Sequence, residues 1–484
     1  MARIERDPLG TREVPDEAYW GIQTLRAIEN FPISGLKASP DLVTATVAIK
    51  RAAARANAAL GRLDTRVAGA IVAAADEVLA GGHRDQFVVD VYQAGAGTSH
   101  NMNTNEVLAN LAAERLGGRR GAYDVVHPND HVNMGQSTND VFPAATRLAL
   151  LMATAGLIDA ARALSATLAD KARAFAHVLK TGRTHLQDAV PMTLGQEFSG
   201  YASCVARGAD DVAWAREQLL ELNLGATAVG TGLNAGPDYV DQVIAELRQS
   251  TGLAVQAAGD RFRVTQSMGD VLAVSGAVRR LAVEIGKIAS DLRLLSMGPR
   301  AGIGEILLPA VQPGSSIMPG KVNPSIAEMV NQVVFQVIGC DTTIATACEA
   351  GQLELNVMMP VIAWNGLHAV TILREASRAF ADRCIRGLQA DEARARELLD
   401  RSTAMATALS PYIGYAATAD LAKTAVATGR SLRDLALERG LLPAERLDEI
   451  LSIEAMREPG IAGAHSASTP APSEPAARAS QQKR

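Results

Sequence analysis

The chain reads as a predominantly all-α protein, and three observations predict this. Hydrophobic residues make up 48% of the 484 positions but aromatic residues only 4%. That Ala-rich composition suits close-packed long helices better than sheets. A heptad seam crosses 271–295, where Val271, Val274, Val278, Leu281, Ile285, Ile288, Leu292 and Leu295 follow a 3-4-3-4-3-4-3 spacing. Such spacing places every member on one face of a helix. Comparable patterns cover 142–177, through Leu148, Leu151, Ala155, Ile158, Ala161, Leu164 and Leu168, and recur around 326–337 and 357–378.

A helix of about 25–30 residues is about 40 Å long. It needs other long helices to cover it, from its own chain or from partner copies. The seam therefore predicts an oligomeric bundle. Ahead of the bundle, 1–139 reads as mixed helix and loop, with polar turns such as Asn129-Asp130. The long-helix region is assigned to 140–395 and a small helical region to 396–463, clearest at 431–437 and 444–451. From Glu458 onward the chain turns to Pro, Ala, Ser and Gln, and 464–484 is expected to be disordered.

The bulk numbers narrow the function. The length allows two or three domains. A net charge of −5 and a pI near 6.0 give no electrostatic case for nucleic acid or an anionic membrane. Cys204, Cys340, Cys348 and Cys384 form no CxxC pair, which argues against a zinc site or a disulfide framework. The opening MARIERDPLG lacks an apolar stretch, and the longest apolar runs are interrupted by charge. Neither a signal peptide nor a bilayer-spanning helix is expected, and a cytoplasmic location is.

The chemistry concentrates in one loop, Gly314-Ser315-Ser316-Ile317-Met318-Pro319-Gly320-Lys321-Val322-Asn323. Pro313, Pro319 and Pro324 break helix and sheet. What remains is a flexible loop whose amides, two hydroxyls and one cation can hold an anion. Three further segments are dense in hydroxyls and carboxamides. They are Gly95-Ala96-Gly97-Thr98-Ser99 with the following 101–106, then 129–133 leading into Gln136-Ser137-Thr138-Asn139-Asp140, and then Gly182-Arg183-Thr184-His185-Leu186-Gln187-Asp188-Ala189. Each taken alone reads as a turn or helix cap. Together with the Ser315 loop, they suit a dicarboxylate, whose oxygens accept several hydrogen bonds each.

Other patterns carry less. Pro128 between His127 and His131 argues against a metal pair on one helix face. Gly230-Thr231-Gly232 follows no strand and lacks the third glycine of a dinucleotide loop, so an oxidoreductase is the weakest reading. His185 lies in a polar, turn-prone segment. Glu328 begins a helical pattern, where it reads as a capping carboxylate or as the partner that orients His185 in an acid–base relay.

The ten residues from Gly314 to Asn323 match, without a gap, the signature loop of the fumarate lyase superfamily, and the resemblance extends from Ile4 to about Gly463. Within its aspartase/fumarase family, several details resemble the ammonia-lyase branch. They are Asp7-Pro8-Leu9-Gly10-Thr11-Arg12-Glu13-Val14-Pro15, Asp85-Gln86-Phe87, Gly95-Ala96-Gly97-Thr98-Ser99, Gln136-Ser137-Thr138-Asn139 and Pro459-Gly460-Ile461-Ala462-Gly463. One residue departs from both branches. Met359 precedes Pro360 where ammonia-lyases have Glu and fumarases a basic residue.

The resemblance implies a three-domain subunit, a homotetramer whose long helices form one bundle, and composite active sites drawn from three subunits. It implies deamination of L-aspartate through an aci-carboxylate. In that reading Ser315 is the base, activated by Lys321 and the loop's backbone amides, Thr98, Ser137, Thr138 and Ser316 hold the side-chain carboxylate, and Thr184, Lys321 and Asn323 hold the α-carboxylate. Asn139 and His185 lie near the amine, with Glu328 behind His185. No redox or organic cofactor is required. The family leaves room for a divalent cation as activator, for which the sequence offers no ligand set. Two readings stay open beside this one: a class II fumarate hydratase using the same base, and a catalytically silent helical oligomer.

Overall fold

Long helices form here because apolar periods run unbroken between strong punctuation. Ser39 caps one of them through Asp41 N with Pro40 in its first turn, and Asp64 caps the next through the amides of Arg66 and Val67. The computed structural model describes residues 1–452, 455–456 and 459–464. The tail expected to be disordered, 464–484, lies outside the described residues except for Ala464.

In chain order, a hairpin of β1 (Ala2–Asp7) and β2 (Gly10–Pro15) precedes α1 (Ile22–Asn30), α2 (Pro40–Ala59), α3 (Thr65–Leu79) and α4 (Thr98–Arg115). Next come α5 (Thr138–Ala174) and a second hairpin, β3 (Leu179–Thr184) with β4 (Gln187–Thr193). They are followed by α6 (Leu194–Arg216), α7 (Pro237–Thr251), α8 (Arg261–Gln266), α9 (Gly269–Leu295), α10 (Ser325–Glu349) and α11 (Met359–Phe380). The chain closes with α12 (Glu392–Arg401), α13 (Ala406–Ile413), α14 (Tyr415–Thr428), α15 (Leu432–Glu438) and α16 (Ala444–Ile450). The all-α expectation holds, and the strands are short accessories.

Packing divides the chain into two units. The first holds Met1–Leu168, Tyr201–Leu294 and Leu308–Gly387. Its bundle is built from α5, α6, α9, α10 and α11. Ser165 Oγ donates to Ala202 O at 2.8 Å across α5 and α6, and Tyr201 Oη to Asp291 at 2.8 Å across α6 and α9. Ser275 Oγ donates to Asp341 at 2.7 Å across α9 and α10. Buried Arg147 on α5 pairs with Asp270 on α9 at 2.6 Å. A separate apolar core in the same unit joins α2, α3 and α4 through Val47, Ile71, Val78, Leu108 and Val126.

The second unit holds Ala169–Gly200, Leu295–Leu307 and the chain from Leu388 onward. Its core gathers Leu179, Leu399, Leu409, Leu421, Leu435 and Leu447.

The seam corrects one expectation. All eight of its residues are 5% exposed or less within the single chain. Helices of the same chain pack on α9, with Leu281 of the seam against Gly208 of α6 and Val334 of α10 against Gly286, because an apolar 3-4 repeat is satisfied equally by a helix of its own chain or of another. The seam is therefore not an uncovered surface. A neutral exposed face lies instead on α10, where Phe335 is 66% exposed beside Gln332, Gly339, Thr342 and Thr346.

Helix α5 has the length its pattern predicts, but it holds a longer apolar stretch than the expectation of charge-interrupted runs allowed. By length and composition alone it could cross a membrane, but 83% of that window is buried inside the protein. It is a core helix.

Candidate active site

Two helix starts meet in the first unit. Asn101, one turn into α4, donates to Thr138 Oγ1 at 3.1 Å, and Thr138 is the first residue of α5. Free backbone amides and the positive end of the helix dipole make such a junction favourable for an anion.

Thr98 opens α4 and is exposed there, its hydroxyl 3.3 Å from Gly95 O. The turn ahead of it requires a glycine. Gly97 has φ +83°, and a Cβ on it would lie 2.1 Å from the Phe142 ring. Ala96 N donates to Val357 O at 2.9 Å, which fixes this turn against the one that leads into α11.

At the start of α5, Ser137 and Asp140 form a reciprocal cap. The Asp140 carboxylate accepts from Ser137 N at 2.9 Å, while Ser137 O accepts from Asp140 N at 3.3 Å and Ser137 Oγ from Asn139 N at 3.2 Å. The cap reading of this segment is thus correct as far as it goes, and it leaves Ser137, Thr138 and Asn139 half-buried at the junction. Asn139 Nδ2 donates to Ala228 O at 2.8 Å, and Asn139 O accepts from Asn223 at 3.1 Å. Thr98, Ser137, Thr138 and Asn139 are therefore gathered at one place.

The rest of the polar segment after Thr98 is structural. Asn103 bridges Val88 N and Gln86 O. Buried Glu106 takes the amides of Gly21, Gln23 and Thr24 and the Thr24 hydroxyl, capping α1. Burial pushes its carboxyl up to about 6. Likewise His127 Nδ1 accepts from Asn129 N and Asp130 N at the head of a wide helical turn, and His131 Nδ1 accepts from His127 N. Among the described residues, no group of three or more His, Cys, Asp and Glu is placed to hold a metal ion.

The Ser315 loop is a closed ring of its own in the first unit. Gly314 N donates to Lys321 O at 2.8 Å, and Asn323 Nδ2 returns to Gly314 O at 3.0 Å. A Cβ at Gly314 would sit 2.7 Å from both Asn323 N and Lys321 O, so only glycine closes the ring. Inside it, Ser315 Oγ accepts from Ile317 N at 3.2 Å and Met318 N at 3.0 Å. Ser316 and Lys321 are exposed, and Glu328 follows in the first turn of α10.

Thr184 and His185 belong to the second unit. They sit at the tip of the β3–β4 hairpin, exposed, and the two-residue turn places His185 at φ +51° and Leu186 at φ +62°. Behind the tip, Arg183 and Lys180 pair with fully buried Glu305, at 2.9 and 3.4 Å.

A groove of about 560 Å³ opens beside Gly95, lined by Phe31, Ile33, Val91, Tyr92, Val357 and Pro360. Its apolar walls do not suit a dicarboxylate. Met359, the departing residue, is fully buried at the start of α11, a setting that an apolar side chain fits without a partner.

The comparisons with known proteins bear directly on this arrangement. Residues 10–339 match the family described as "Lyase", and 405–458 the family "Fumarase C C-terminus". The chain belongs to the fumarate lyase superfamily. Aspartate ammonia-lyase of a Bacillus species is 49% identical over 461 residues, covering 95% of this chain and 98% of its own. The Escherichia coli K12 aspartate ammonia-lyase is 49% identical, covering 94% of this chain and 96% of its own. Among solved structures of the superfamily, a fumarate lyase:delta crystallin from Brucella melitensis bound to cobalt superposes with a TM-score of 0.90 at 49% identity, covering 93% of this chain and 98% of that one. A class II fumarase from Schistosoma mansoni reaches the same TM-score at 39% identity, with the same coverage.

Two supporting residues escaped the sequence reading, Lys50 behind the junction of α4 and α5 and Glu305 behind the hairpin, and Asp140, read only as part of a polar segment, also lies buried behind that junction. For Lys50 a signal existed. It continues the apolar row Val43, Val47, Ala54 on α2, and a lysine in a core row is unusual.

Proposed function

We propose that the protein catalyses the reversible deamination of L-aspartate to fumarate and ammonia, with Ser315 as the base that takes the C3 proton. The carrying observation is the pair of amides on Ser315 Oγ. A serine hydroxyl is a weak base until its oxyanion is stabilised, and two backbone N–H donors at 3.0 and 3.2 Å favour that form.

Loss of the C3 proton leaves two electrons that delocalise into the side-chain carboxylate as a doubly charged aci-carboxylate. The C2–N bond then breaks, and ammonia leaves. Catalysis requires stronger binding of the intermediate than of the substrate. Thr98, Ser137 and Thr138, at two helix starts, are suited to the side-chain carboxylate, joined by Ser316. Thr184, Lys321 and Asn323 are assigned to the α-carboxylate, and Asn139 and His185 to the amine, with Glu328 orienting His185. No step is routed through a metal or an organic cofactor.

We further propose a homotetramer in which segments of three subunits complete each site, and a division of the subunit at 1–139, 140–395 and 396–463. The neutral exposed face of α10 supports self-association. A cytoplasmic location accords with burial of α5 as a core helix.

Class II fumarate hydratase is the second reading, because the fumarase fold superposes equally well. The 49% identity to aspartate ammonia-lyases against 39% to the fumarase favours deamination. Purified protein given L-aspartate and then L-malate, followed by fumarate absorbance, decides between them. The expected result is turnover of aspartate with little or none of malate, and faster malate turnover overturns the assignment.

A further inference from the structure

Two buried charges hold the segment Gln136-Ser137-Thr138-Asn139 from behind, and neither has a place in the chemistry above. Lys50, on α2, is wholly buried. Its Nζ donates to Asn133 Oδ1 at 2.7 Å and to Gln136 Oε1 at 3.0 Å. Asn133 Oδ1 also lies 3.4 Å from Asn101 Nδ2, the same amide that reaches Thr138 Oγ1. At the far end, wholly buried Asp140 takes Ser137 N on one oxygen and Gly225 N and Thr227 N, both at 3.0 Å, on the other. The segment is therefore clamped by a cation at its first residue and by an anion just past its last.

Burying charges is costly, and a structural clamp could be made from neutral groups. Burial pushes the Lys50 ammonium down to about 7 and the Asp140 carboxyl up to about 7, and each charge relieves the other. The hydrogen bonds favour the charged forms, since Lys50 meets only acceptors and Asp140 only N–H donors. The neighbouring His100 on α4 is held neutral, pushed down to about 4 by burial and by the Lys50 charge.

We propose that Lys50 and Asp140 are positioning residues: they fix the Ser137 and Thr138 hydroxyls where charge develops in the transition state, so their contribution falls on turnover rather than on substrate affinity. This rests on the reading that Ser137 and Thr138 hold the reacting carboxylate. A misplacement of about 1 Å in such donors costs about 10² in rate.

The test uses the assembled enzyme with Lys50→Met and Thr138→Val, and rates are expressed per folded active site. Binding of succinate, an unreactive dicarboxylate, is compared with binding of a nitronate analogue that imitates the aci-carboxylate. Lys50→Met should lower kcat by about 10² and weaken the nitronate similarly, while succinate changes by less than about threefold. A residue needed only for folding would lower the folded fraction and leave kcat per folded site intact, which overturns the proposal. Equal weakening of both ligands also overturns it. If Lys50→Met does not fold, Gln136→Met removes the contact on the segment itself and should lower kcat in the same selective way, and an unchanged kcat there counts against the proposal. The Thr138→Val variant separates the two claims. If it leaves kcat intact, the carboxylate reading fails, whereas a fall in Thr138→Val alone defeats only the positioning role.

Discussion

The carboxylate of Glu305 holds both terminal nitrogens of Arg183, at 2.9 and 3.0 Å, two residues before His185. Lys180 Nζ approaches the same carboxylate at 3.4 Å and Glu197 at 2.9 Å. The hairpin that carries Thr184 and His185 is therefore anchored by a cluster of two cations and two carboxylates, of which Lys180 and Glu305 are buried. Its turn is strained, since two non-glycine residues occupy left-handed backbone. Glu305→Gln should strand the Arg183 charge and cost about 3–5 kcal/mol of stability, read by urea unfolding. Wild-type stability in that variant would remove the anchor from the account.

Gly97 is the second pressure point. Alanine there meets the Phe142 ring and must also adopt φ +83°. The variant should lose about 1–3 kcal/mol and bind substrate more weakly because Thr98 is displaced. Thermal unfolding and KM together check this, and an unchanged KM would show that the turn does not place Thr98.

Asp90 gives a prediction in pH. Burial raises its carboxyl, but hydrogen bonds from Tyr92 N, Ser34 N, the Ser34 hydroxyl and Gly35 N outweigh burial and hold it below its ordinary value. A carboxyl depressed in the folded state stabilises above its unfolded pKa, and the gain is lost as pH falls through the folded value. Asp90→Asn should cost about 1.5–3 kcal/mol at pH 7, and the gap to wild type should narrow below about pH 4. Urea unfolding at both pH values measures it, and a constant gap contradicts the assignment.

Phe335 tests assembly. Phe335→Glu puts a charge on the neutral face of α10 without touching the buried side of that helix. Light scattering should find smaller species with little activity. A tetramer with full activity would move the proposed contact elsewhere.

What the sequence makes legible follows from the physics of each part. Helices α5, α9, α10 and α11 announce themselves because an apolar 3-4 period persists over several turns. Which chain covers them is not legible, because Val271 to Leu295 reads the same against a helix of either origin. The β3–β4 hairpin is hidden because its turn is His185-Leu186 rather than an Asn-Gly pair. Ser137 and Thr138 are legible as hydroxyl-bearing residues and Lys50 as a lysine in an apolar row, but the pairing of Lys50 with Gln136, 86 residues away in another segment, is visible only after folding. Composition also overcounts: Asn103 and Glu106 look like site residues and act as struts.

The central claim is that Ser315 removes the C3 proton, and the direct measurement is turnover of L-aspartate by Ser315→Ala beside its affinity for succinate. The loop ring closed by Gly314, Lys321 and Asn323 does not depend on the serine side chain, so the carboxylate contacts should survive. The account predicts a kcat lowered by about 10²–10⁴ with succinate binding nearly unchanged. Near-normal turnover in a clean preparation would contradict it and pass the role of base to His185 with Glu328.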